Sequence, residues 1–468
     1  MRVTLTFALL ALSSSACVDV VQHGTNVQLA LEEPCNAADA VTADAWKLRA
    51  FSGSERLFER ELSSFPSVVA LAGGTNLHLE FEALQGGVVV GRGASLHFDV
   101  VEGRPSPEGL LISVKPLGRF VQRCAGLTHA RSGHTATLLA DGSVLIVGGL
   151  DTNGTALASI EHLGVVNTTE VGPLGIRAGG NVVTLPRAFH SAVRLENGQV
   201  LIAGGENVAM TGAPSAVVST IVVIDPSLDF GQGALSTSAN SAWVGRSRHA
   251  AFLDGVTVLF AGGVMRSTMG VTAADTLQRL MTTSFTFGAT TLTTPTDESG
   301  ITFFANDVVY AGGIASGATS DLVRFVPASG GNARDVRLMT ARSLPAVFPL
   351  GGKLLVSGGI DSNSQFIDRS EWLDTTGSTP GPQVSARAKA CVVPLPDGRV
   401  FLFGGLSANG PTNVAELLSP DGTVVAISNP AIAGRVDHTC TLLEDGSILI
   451  AGGRTNAGPA SDLWQFAP

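Results

Sequence analysis

The chain has 468 residues, of which 44% are hydrophobic, 15% are charged and 56 are glycine. The apolar fraction excludes a disordered chain, and the excess of glycine over charged residues argues against a coiled coil or a helical solenoid. The 29 Lys and Arg residues against 39 Asp and Glu give a net charge of −10, so no nucleic-acid partner is expected.

The first residues of the chain have the pattern of a secretory signal peptide. Arg2 supplies the positive charge, residues 3–12 are apolar, and residues 13–16 are small. Cys17 follows, and the sequence Ser-Ser-Ala-Cys resembles a bacterial lipobox, in which the cysteine is acylated and becomes the mature N-terminus. The resemblance implies residues 1–17 as a lipoprotein signal peptide, a short linker over 18–23, and a lipid anchor in the cell envelope. In a Gram-negative host the expected location is the outer membrane, and plain secretion is the alternative.

The other four cysteines form an even set, which in an exported protein indicates disulfide bridges. Their neighbourhoods favour the pairs Cys35–Cys124 and Cys391–Cys440. No group of Cys and His has the sequence spacing of a zinc site, so neither a metal nor a cofactor is expected.

Residues 24–117 contain short alternating or apolar runs separated by Gly, Ser and Pro turns. This pattern predicts a small antiparallel β-sandwich, which is immunoglobulin-like by analogy only. The predicted strands are 45–51, 67–71, 77–83, 87–90, 95–100 and 110–114.

A repeat fills the rest of the chain. In each unit an apolar run leads to a turn such as Asp141-Gly142, and a second apolar run then ends in a pair of glycines. Asp-Gly accepts the positive φ values of a tight hairpin, and the glycine pair permits a close approach of another backbone. The seven pairs are Gly148-Gly149, Gly204-Gly205, Gly262-Gly263, Gly312-Gly313, Gly358-Gly359, Gly404-Gly405 and Gly452-Gly453.

Each unit continues with a polar loop, a third short strand and a more variable fourth strand. Four antiparallel strands in roughly 45–50 residues are typical of one blade of a β-propeller. The predicted third strands are 159–163, 221–224, 276–280, 322–326, 371–373, 415–418 and 463–466.

The glycine pair, the Asp-Gly hairpin and an Arg-x-x-His start resemble the kelch family, and specifically the galactose-oxidase-like propellers, over roughly three quarters of the chain. The resemblance implies an all-β fold in which residues 118–468 form a seven-bladed propeller. Because the chain ends after a third strand, we expect residues around 119–127 to supply the fourth strand of the last blade.

One arginine recurs at the start of the first strand in six repeats, so these residues are expected to surround one mouth of the channel. Two interpretations are open. The guanidinium groups form a ring that binds carboxylate or phosphate ligands, or each one joins neighbouring blades through backbone carbonyls or an acid. The six residues are Arg131, Arg187, Arg246, Arg342, Arg387 and Arg435.

Four histidines begin the first strands of repeats that are neighbours in a closed ring: His134, His190, His249 and His438. A metal site is one interpretation of this pattern. Packing between blades is favoured over it, because adjacent blades hold equivalent positions far apart and no carboxylate accompanies the histidines.

Cys391 aligns with Thr135 of the first repeat, whereas Cys440 aligns with Ala136. Because side chains alternate along a strand, the two cysteines point to opposite faces of their own blades. Opposite faces of adjacent blades meet in a propeller, which supports a bridge between the sixth and seventh blades. Two buried free thiols are the alternative.

The resemblance also bears on function. Copper radical oxidases of this superfamily need two tyrosines, and Tyr310 is the only one in this chain. The first hypothesis is therefore a non-catalytic, surface-anchored binding scaffold whose partner is a protein or polysaccharide of the envelope. The alternative is a kelch-type sugar isomerase that acts on an acidic sugar at the channel, where the arginine ring would suit the acid.

Overall fold

The computed structural model describes residues 25–101, 109–164, 168–173, 175–178, 181–207, 216–227, 235–238, 243–267, 270–292, 295–427 and 431–468. The expected signal peptide, linker and lipidated Cys17 lie outside these residues. Within these described ranges the fold is all-β apart from one 3-10 helix, Ala37–Asp39. The described residues contain no helix with the length and apolar character that a membrane crossing requires.

Nine strands form the N-terminal region. They are β1 (Thr25–Leu31), β2 (Ala45–Ser52), β3 (Glu55–Leu62), β4 (Val68–Leu71), β5 (Gly74–Gln85), β6 (Val88–Ala94), β7 (Phe98–Val100), β8 (Leu110–Ile112) and β9 (Lys115–Pro116). One sheet has the order β4-β1-β8 and the other β3-β2-β5-β6-β9, with β7 paired to β5. Alternating side chains of both sheets, such as Val27 and Phe81, meet in one core.

The structure differs from the predicted antiparallel arrangement in this region at one strand pair. Strand β1 pairs with β4 in the antiparallel sense but with β8 in the parallel sense. The sequence pattern also missed β1 and β3. Strand β3 is mostly exposed and charged, with the sequence ERLFEREL, so it lacks the alternation that marks a half-buried strand.

Forty further strands follow. They are β10 (Phe120–Gln122), β11 (Thr135–Leu138), β12 (Val144–Val147), β13 (Ser159–Leu163), β14 (Thr168–Pro173), β15 (Gly175–Ala178), β16 (Asn181–Thr184), β17 (Ser191–Arg194), β18 (Val200–Ala203), β19 (Glu206–Asn207), β20 (Ala216–Val217), β21 (Ile221–Ile224), β22 (Leu235–Ser238), β23 (Ala250–Asp254), β24 (Thr257–Ala261), β25 (Val264–Ser267), β26 (Gly270–Ala273), β27 (Thr276–Met281), β28 (Thr286–Thr291), β29 (Gly300–Phe304), β30 (Asp307–Ala311), β31 (Ile314–Ala315), β32 (Ala318–Thr319), β33 (Leu322–Pro327), β34 (Arg334–Arg337), β35 (Ala346–Leu350), β36 (Lys353–Ser357), β37 (Arg369–Asp374), β38 (Gly377–Gln383), β39 (Cys391–Pro394), β40 (Val400–Phe403), β41 (Leu406–Ser407), β42 (Gly410–Pro411), β43 (Ala415–Leu418), β44 (Val424–Ile427), β45 (Thr439–Leu442), β46 (Ile448–Ala451), β47 (Arg454–Thr455), β48 (Gly458–Pro459) and β49 (Leu463–Phe466).

Most of these strands belong to seven four-stranded antiparallel sheets. Sheet 1 is β11-β12-β13-β14, sheet 2 is β17-β18-β21-β22, sheet 3 is β23-β24-β27-β28 and sheet 4 is β29-β30-β33-β34. Sheet 5 is β35-β36-β37-β38, sheet 6 is β39-β40-β43-β44 and sheet 7 is β45-β46-β49-β10. The remaining strands form two-stranded hairpins: β15-β16, β19-β20, β25-β26, β31-β32, β41-β42 and β47-β48. The third strands of the sheets cover the predicted segments.

Sheet 7 contains strands from both ends of this region. Strand β10 pairs with β49, with Phe120 opposite Phe466, and the ring centroids of these two residues are 4.7 Å apart. The prediction that a segment before the first repeat completes the last sheet is confirmed, although the strand is shorter than the predicted segment.

The first strands of the seven sheets follow one another in a cyclic order. Strand β11 contacts β17, the contacts continue through β23, β29, β35, β39 and β45, and β45 contacts β11 again. Backbone hydrogen bonds reinforce this order: Gly149 N donates to Arg187 O at 2.9 Å, and Gly453 N donates to Arg131 O at 2.8 Å, which joins sheet 7 to sheet 1. This all-β architecture fits a β-propeller.

The glycine pairs lie at the contacts between sheets. Gly148 has φ 63°, and a Cβ there would collide with the carbonyl oxygen of Arg187 in the next sheet. Glycine is therefore required both for the left-handed backbone and for the close approach of the two chains.

Candidate functional site

The recurring arginines are buried inside the sheets, and none of the six is more than 3% exposed. Arg131 Nη1 donates to Gly148 O at 2.7 Å, and its Nη2 donates to Ser159 Oγ at 2.9 Å and to Glu161. Each of these partners belongs to the same repeat as the arginine. The guanidinium group therefore ties the start of a repeat to its glycine pair and its third strand.

The other arginines follow the same plan with different partners. Arg342 bonds Glu371, and Arg387 Nη2 is 2.5 Å from Glu416 Oε2. Arg435 donates to both carboxylate oxygens of Asp462 at 2.9 Å. An acid thus accompanies the arginine in sheets 1, 5, 6 and 7, and it is buried in all of these except sheet 7, where Asp462 is partly exposed.

Sheets 2 and 3 use neutral partners. Arg187 bonds Thr220 and backbone carbonyls, while Arg246 Nη2 donates to Gln278 Oε1 at 2.9 Å. Burial lowers the pKa of both arginines to about 10, so both remain charged at neutral pH. Because all six guanidinium groups are buried and bonded within their own sheets, the structure favours the structural interpretation over the anion-binding ring.

Sheet 4 lacks this arginine, and Thr296 stands in its place. Ser299 Oγ donates to Gly312 O at 3.1 Å, which supplies the hydrogen bond that an arginine makes in other sheets. The cation comes instead from the third strand, where Arg324 bonds Asp335 at 2.8 and 2.7 Å. Sheet 4 therefore replaces the arginine and the acid together.

Three of the four histidines contact a hydroxyl of the preceding sheet through Nε2. His134 lies 3.1 Å from Thr439 Oγ1, His190 lies 2.9 Å from Thr135 Oγ1, and His249 lies 2.8 Å from Ser191 Oγ. Burial lowers the pKa of His134 and His249 to about 3 and that of His190 well below its ordinary value. These neutral rings pack between sheets, which favours the packing interpretation over a shared metal site.

The residue two positions after each arginine, or after Thr296 in sheet 4, has a left-handed backbone. The φ values lie between 53° and 64°. Such a conformation strains residues other than glycine, and strain of this kind is concentrated at functional sites. We call these seven the rim residues: Gly133, Phe189, Arg248, Glu298, Leu344, Lys389 and Asp437.

Backbone hydrogen bonds connect the rim residues of successive sheets. Gly133 N donates to Asp437 O at 2.8 Å, Phe189 N to Gly133 O at 2.7 Å, and Arg248 N to Phe189 O at 2.9 Å. On the other side, Leu344 N donates to Glu298 O at 2.7 Å. The backbone of the rim is thus fixed, while its side chains differ from sheet to sheet.

All seven rim residues line one cavity of about 500 Å³, which we call the axial cavity. His134, His190, His249 and His438, each the residue directly after a rim residue, also line it. Asp297, Ser299 and Ile301 of sheet 4 contribute as well. The volume is in the range of small-molecule sites.

One arc of the rim is a stack of side chains. The guanidinium carbon of Arg248 lies 3.8 Å from the centroid of the Phe189 ring, and its Nε is 3.3 Å from Glu206 Oε1. A Cβ at Gly133 would lie 2.6 Å from an atom of the Phe189 ring, so the ring packs directly on this glycine. Gly133, Phe189 and Arg248 therefore hold one another in place.

The opposite arc holds less strongly paired charges. Lys389 Nζ is 3.9 Å from Asp437 Oδ1, with side-chain exposures of 28% and 19%. Among the described residues, neither Asp297 nor Glu298 has a cationic side chain within 4.0 Å. Both carboxylates line the axial cavity and are partly exposed, although Asp297 Oδ1 accepts a hydrogen bond from Glu298 N at 2.7 Å.

The repeat pattern does not mark the rim residues, because the repeats share no residue type at this position. The signal that could have found them is a position whose residue type varies from repeat to repeat, although it lies between a recurring arginine and a recurring histidine. Gly, Phe, Arg, Glu, Leu, Lys and Asp occupy that position in turn.

Both predicted disulfides are present in the structure. Cys35 pairs with Cys124, and Cys391 pairs with Cys440, with Cα atoms 5.1 and 6.2 Å apart. The second bridge joins β39 of sheet 6 to β45 of sheet 7, as expected. His438 lies beside it, and one ligand atom from each of Cys391, His438 and Cys440 falls within 4.8 Å of the others.

Comparison with known proteins gives limited information. No family model matches the chain, and no curated protein matches it. A solved structure described as "Structure of YjhT" is similar with a TM-score of 0.48 and 13% sequence identity, over 65% of this chain and 99% of that chain. A similarity of this extent identifies no function.

Proposed function

We propose that residues 118–468 form a seven-bladed β-propeller of the kelch type behind a small β-sandwich domain. Support comes from the seven four-stranded sheets, the cyclic contacts of their first strands and the pairing of β10 with β49. The lipobox-like sequence at Cys17 supports export and lipid anchoring. The protein then acts as a non-catalytic binding scaffold at the cell surface.

We place the binding site at the axial cavity. The observation that carries this proposal is the contrast between arginines that are bonded within their own sheets and carboxylates of the cavity that have no cationic partner in the part of the chain that the structure describes. The buried arginines bond their own sheets, whereas Asp297 and Glu298 line the cavity without a cationic partner among the described residues. Ligand contacts at such a site would come from residues that can vary while the blades stay the same.

The charges at the rim indicate the kind of partner. Asp297 and Glu298 suit a cationic group, and Lys389 across the cavity suits an anionic one. Phe189 offers no open face as a sugar platform, because Arg248 covers its ring and Gly133 packs against it. A protein segment that carries both charges is therefore favoured over a neutral polysaccharide.

Binding is tested with the Cys17→Ser protein, which is free of lipid, by calorimetric titration with peptides from envelope proteins and with envelope polysaccharide fragments. Glu298→Gln and Lys389→Met should each weaken peptide binding by about tenfold, the loss expected when one charged contact is removed. Glu55→Gln, an exposed change on β3, is the matched control and should bind normally. Equal affinity of all four proteins would place the site elsewhere, and binding of polysaccharide alone would reverse the preference for a peptide.

The six buried arginines do not support the sugar isomerase hypothesis, but two other cationic residues, Arg248 and Lys389, line the cavity. Mutarotation of an acidic sugar by the same protein is the appropriate assay. Turnover that disappears in Lys389→Met would establish an enzyme in place of a scaffold.

A further inference from the structure

The junction between sheets 6 and 7 departs from the pattern at the other histidines. Three hydroxyl residues, Thr135, Ser191 and Thr439, each begin the first strand of a sheet. Each contacts the histidine of the next sheet. The equivalent residue facing His438 is Cys391. Both ring nitrogens of His438 are buried without a hydrogen-bond partner among the described residues.

We propose that Cys391, Cys440 and His438 form a zinc site when the disulfide is reduced. Two thiolates and an imidazole are donors that Zn²⁺ prefers, and their ligand atoms already lie within 4.8 Å of one another. Bond lengths of about 2.3 Å to sulfur and about 2.0 Å to nitrogen let one ion reach all three after small movements. Water would fill the fourth position, since Cys391 and Cys440 are partly exposed.

The disulfide-bonded form and the reduced, zinc-bound form of Cys391 and Cys440 interconvert by thiol–disulfide exchange. A dithiol reductant donates two electrons, the bond between the two cysteine sulfurs breaks, two thiols form, and the dithiol becomes a disulfide. Zn²⁺ then binds both sulfurs as thiolates and displaces their two protons to solvent. When a disulfide oxidant accepts the two electrons, together with two protons from solvent, the bond between Cys391 and Cys440 re-forms and the ion is released.

The surroundings hold the histidine in place in both states. The His438 ring meets Phe403 edge to face, with centroids 5.2 Å apart, and it lies against Gly404, where a Cβ would be 2.6 Å from its Cε1 atom. The strands that bear the two cysteines belong to complete sheets. The ligands are therefore positioned by packing that does not depend on the disulfide.

The test uses the whole protein with Cys17, Cys35 and Cys124 changed to serine, so that one cysteine pair remains. After reduction with a phosphine, which supplies the two electrons without adding a thiol ligand, it is titrated with Zn²⁺ and separately with Co²⁺. We expect one ion per chain and the absorption of tetrahedral, thiolate-bound Co²⁺. The oxidised protein should bind neither ion.

Variants separate this site from adventitious binding. His438→Asn should weaken Zn²⁺ binding by more than about tenfold, whereas His190→Asn, the same position beside a hydroxyl, should leave it unchanged. Circular dichroism establishes that each variant is folded. The proposal is overturned if the reduced protein binds no Zn²⁺, if a Cys391→Ser protein binds it equally well, or if both histidine variants retain full affinity.

Discussion

The six buried arginines, which we call the arginine layer, lie two residues before rim residues in the segments that lead into the first strands, yet the side chains at the two positions have opposite properties. Arg342 and its equivalents are buried and bonded to their own sheets, while Leu344 and its equivalents line a cavity and differ in every sheet. The recurring residue therefore stabilises the sheet that contains it. The rim position varies from sheet to sheet, and ligand recognition at that position is our proposal.

In sheet 4, other residues make the buried hydrogen bond and the ion pair that the arginine makes elsewhere. Ser299 donates the hydrogen bond to Gly312 O and its hydroxyl also contacts that of Thr296, while Arg324 binds the carboxylate of Asp335 on the neighbouring strand. Buried groups are thus satisfied in a second way. At the rim of the same sheet, Glu298 keeps the left-handed backbone of the other rim residues.

The largest effect is expected from breaking the arginine layer. Arg342→Met leaves the carboxylate of Glu371 buried without its cation, which should lower the free energy of unfolding by about 3–5 kcal/mol. Denaturant unfolding monitored by circular dichroism measures it. Glu371→Gln should cost less, because it recreates the arginine–glutamine pair of sheet 3. An Arg342→Met protein as stable as the parent would contradict the structural role.

A second effect is a loss of stability in acid from the buried histidines. The pKa of His134, His249 and His438 is about 3 in the folded protein, against about 6.5 in an unfolded chain. Between these values the unfolded chain binds protons that the folded protein does not. The free energy of unfolding should therefore fall as the pH drops below about 6.5, by up to about 1.4 kcal/mol per pH unit for each histidine, and these groups should have no effect above it.

Unfolding at about pH 7 and about pH 5 measures this loss. His249→Gln preserves a hydrogen-bonding partner for Ser191 but cannot titrate, so its stability should depend less steeply on pH than that of the parent. Identical slopes for the two proteins would show that His249 is protonated without cost in the folded state.

Much of the fold was predictable because the repeat is periodic. The Asp-Gly turns and glycine pairs mark the hairpins, and β13, β21, β43 and β49 have the predicted bounds. The offset between Cys391 and Cys440 indicated a bridge between adjacent blades, which the structure contains.

The site was harder to predict for a physical reason. Sequence spacing placed Arg131 and its equivalents near the channel but gave no information on whether the side chain turns toward the channel or into its own sheet. That direction depends on partners such as Glu161, which lies thirty residues away. The rim residues carry no shared chemistry, so no motif marks them.

A smaller effect on stability is expected at Gly133, against which the ring of the neighbouring rim residue Phe189 packs. Gly133→Ala adds a Cβ at φ 64° against the Phe189 ring, and we expect a loss of about 1–3 kcal/mol in the free energy of unfolding. Gly154→Ala is the matched control, with φ 75° and nothing within 4 Å. Equal losses in the two variants would mean that the Phe189 contact contributes nothing.

The smallest change in stability is expected at Lys389, two residues after a buried arginine. Its ammonium group is partly exposed and 3.9 Å from Asp437, so Lys389→Met should change the free energy of unfolding by less than about 0.5 kcal/mol. The same variant should weaken ligand binding, because it removes a cation from the axial cavity. Denaturant unfolding and calorimetric titration of one preparation measure both quantities. A large loss of stability with unchanged binding would mean that Lys389 has a structural role. The rim would then not differ in function from the arginine layer.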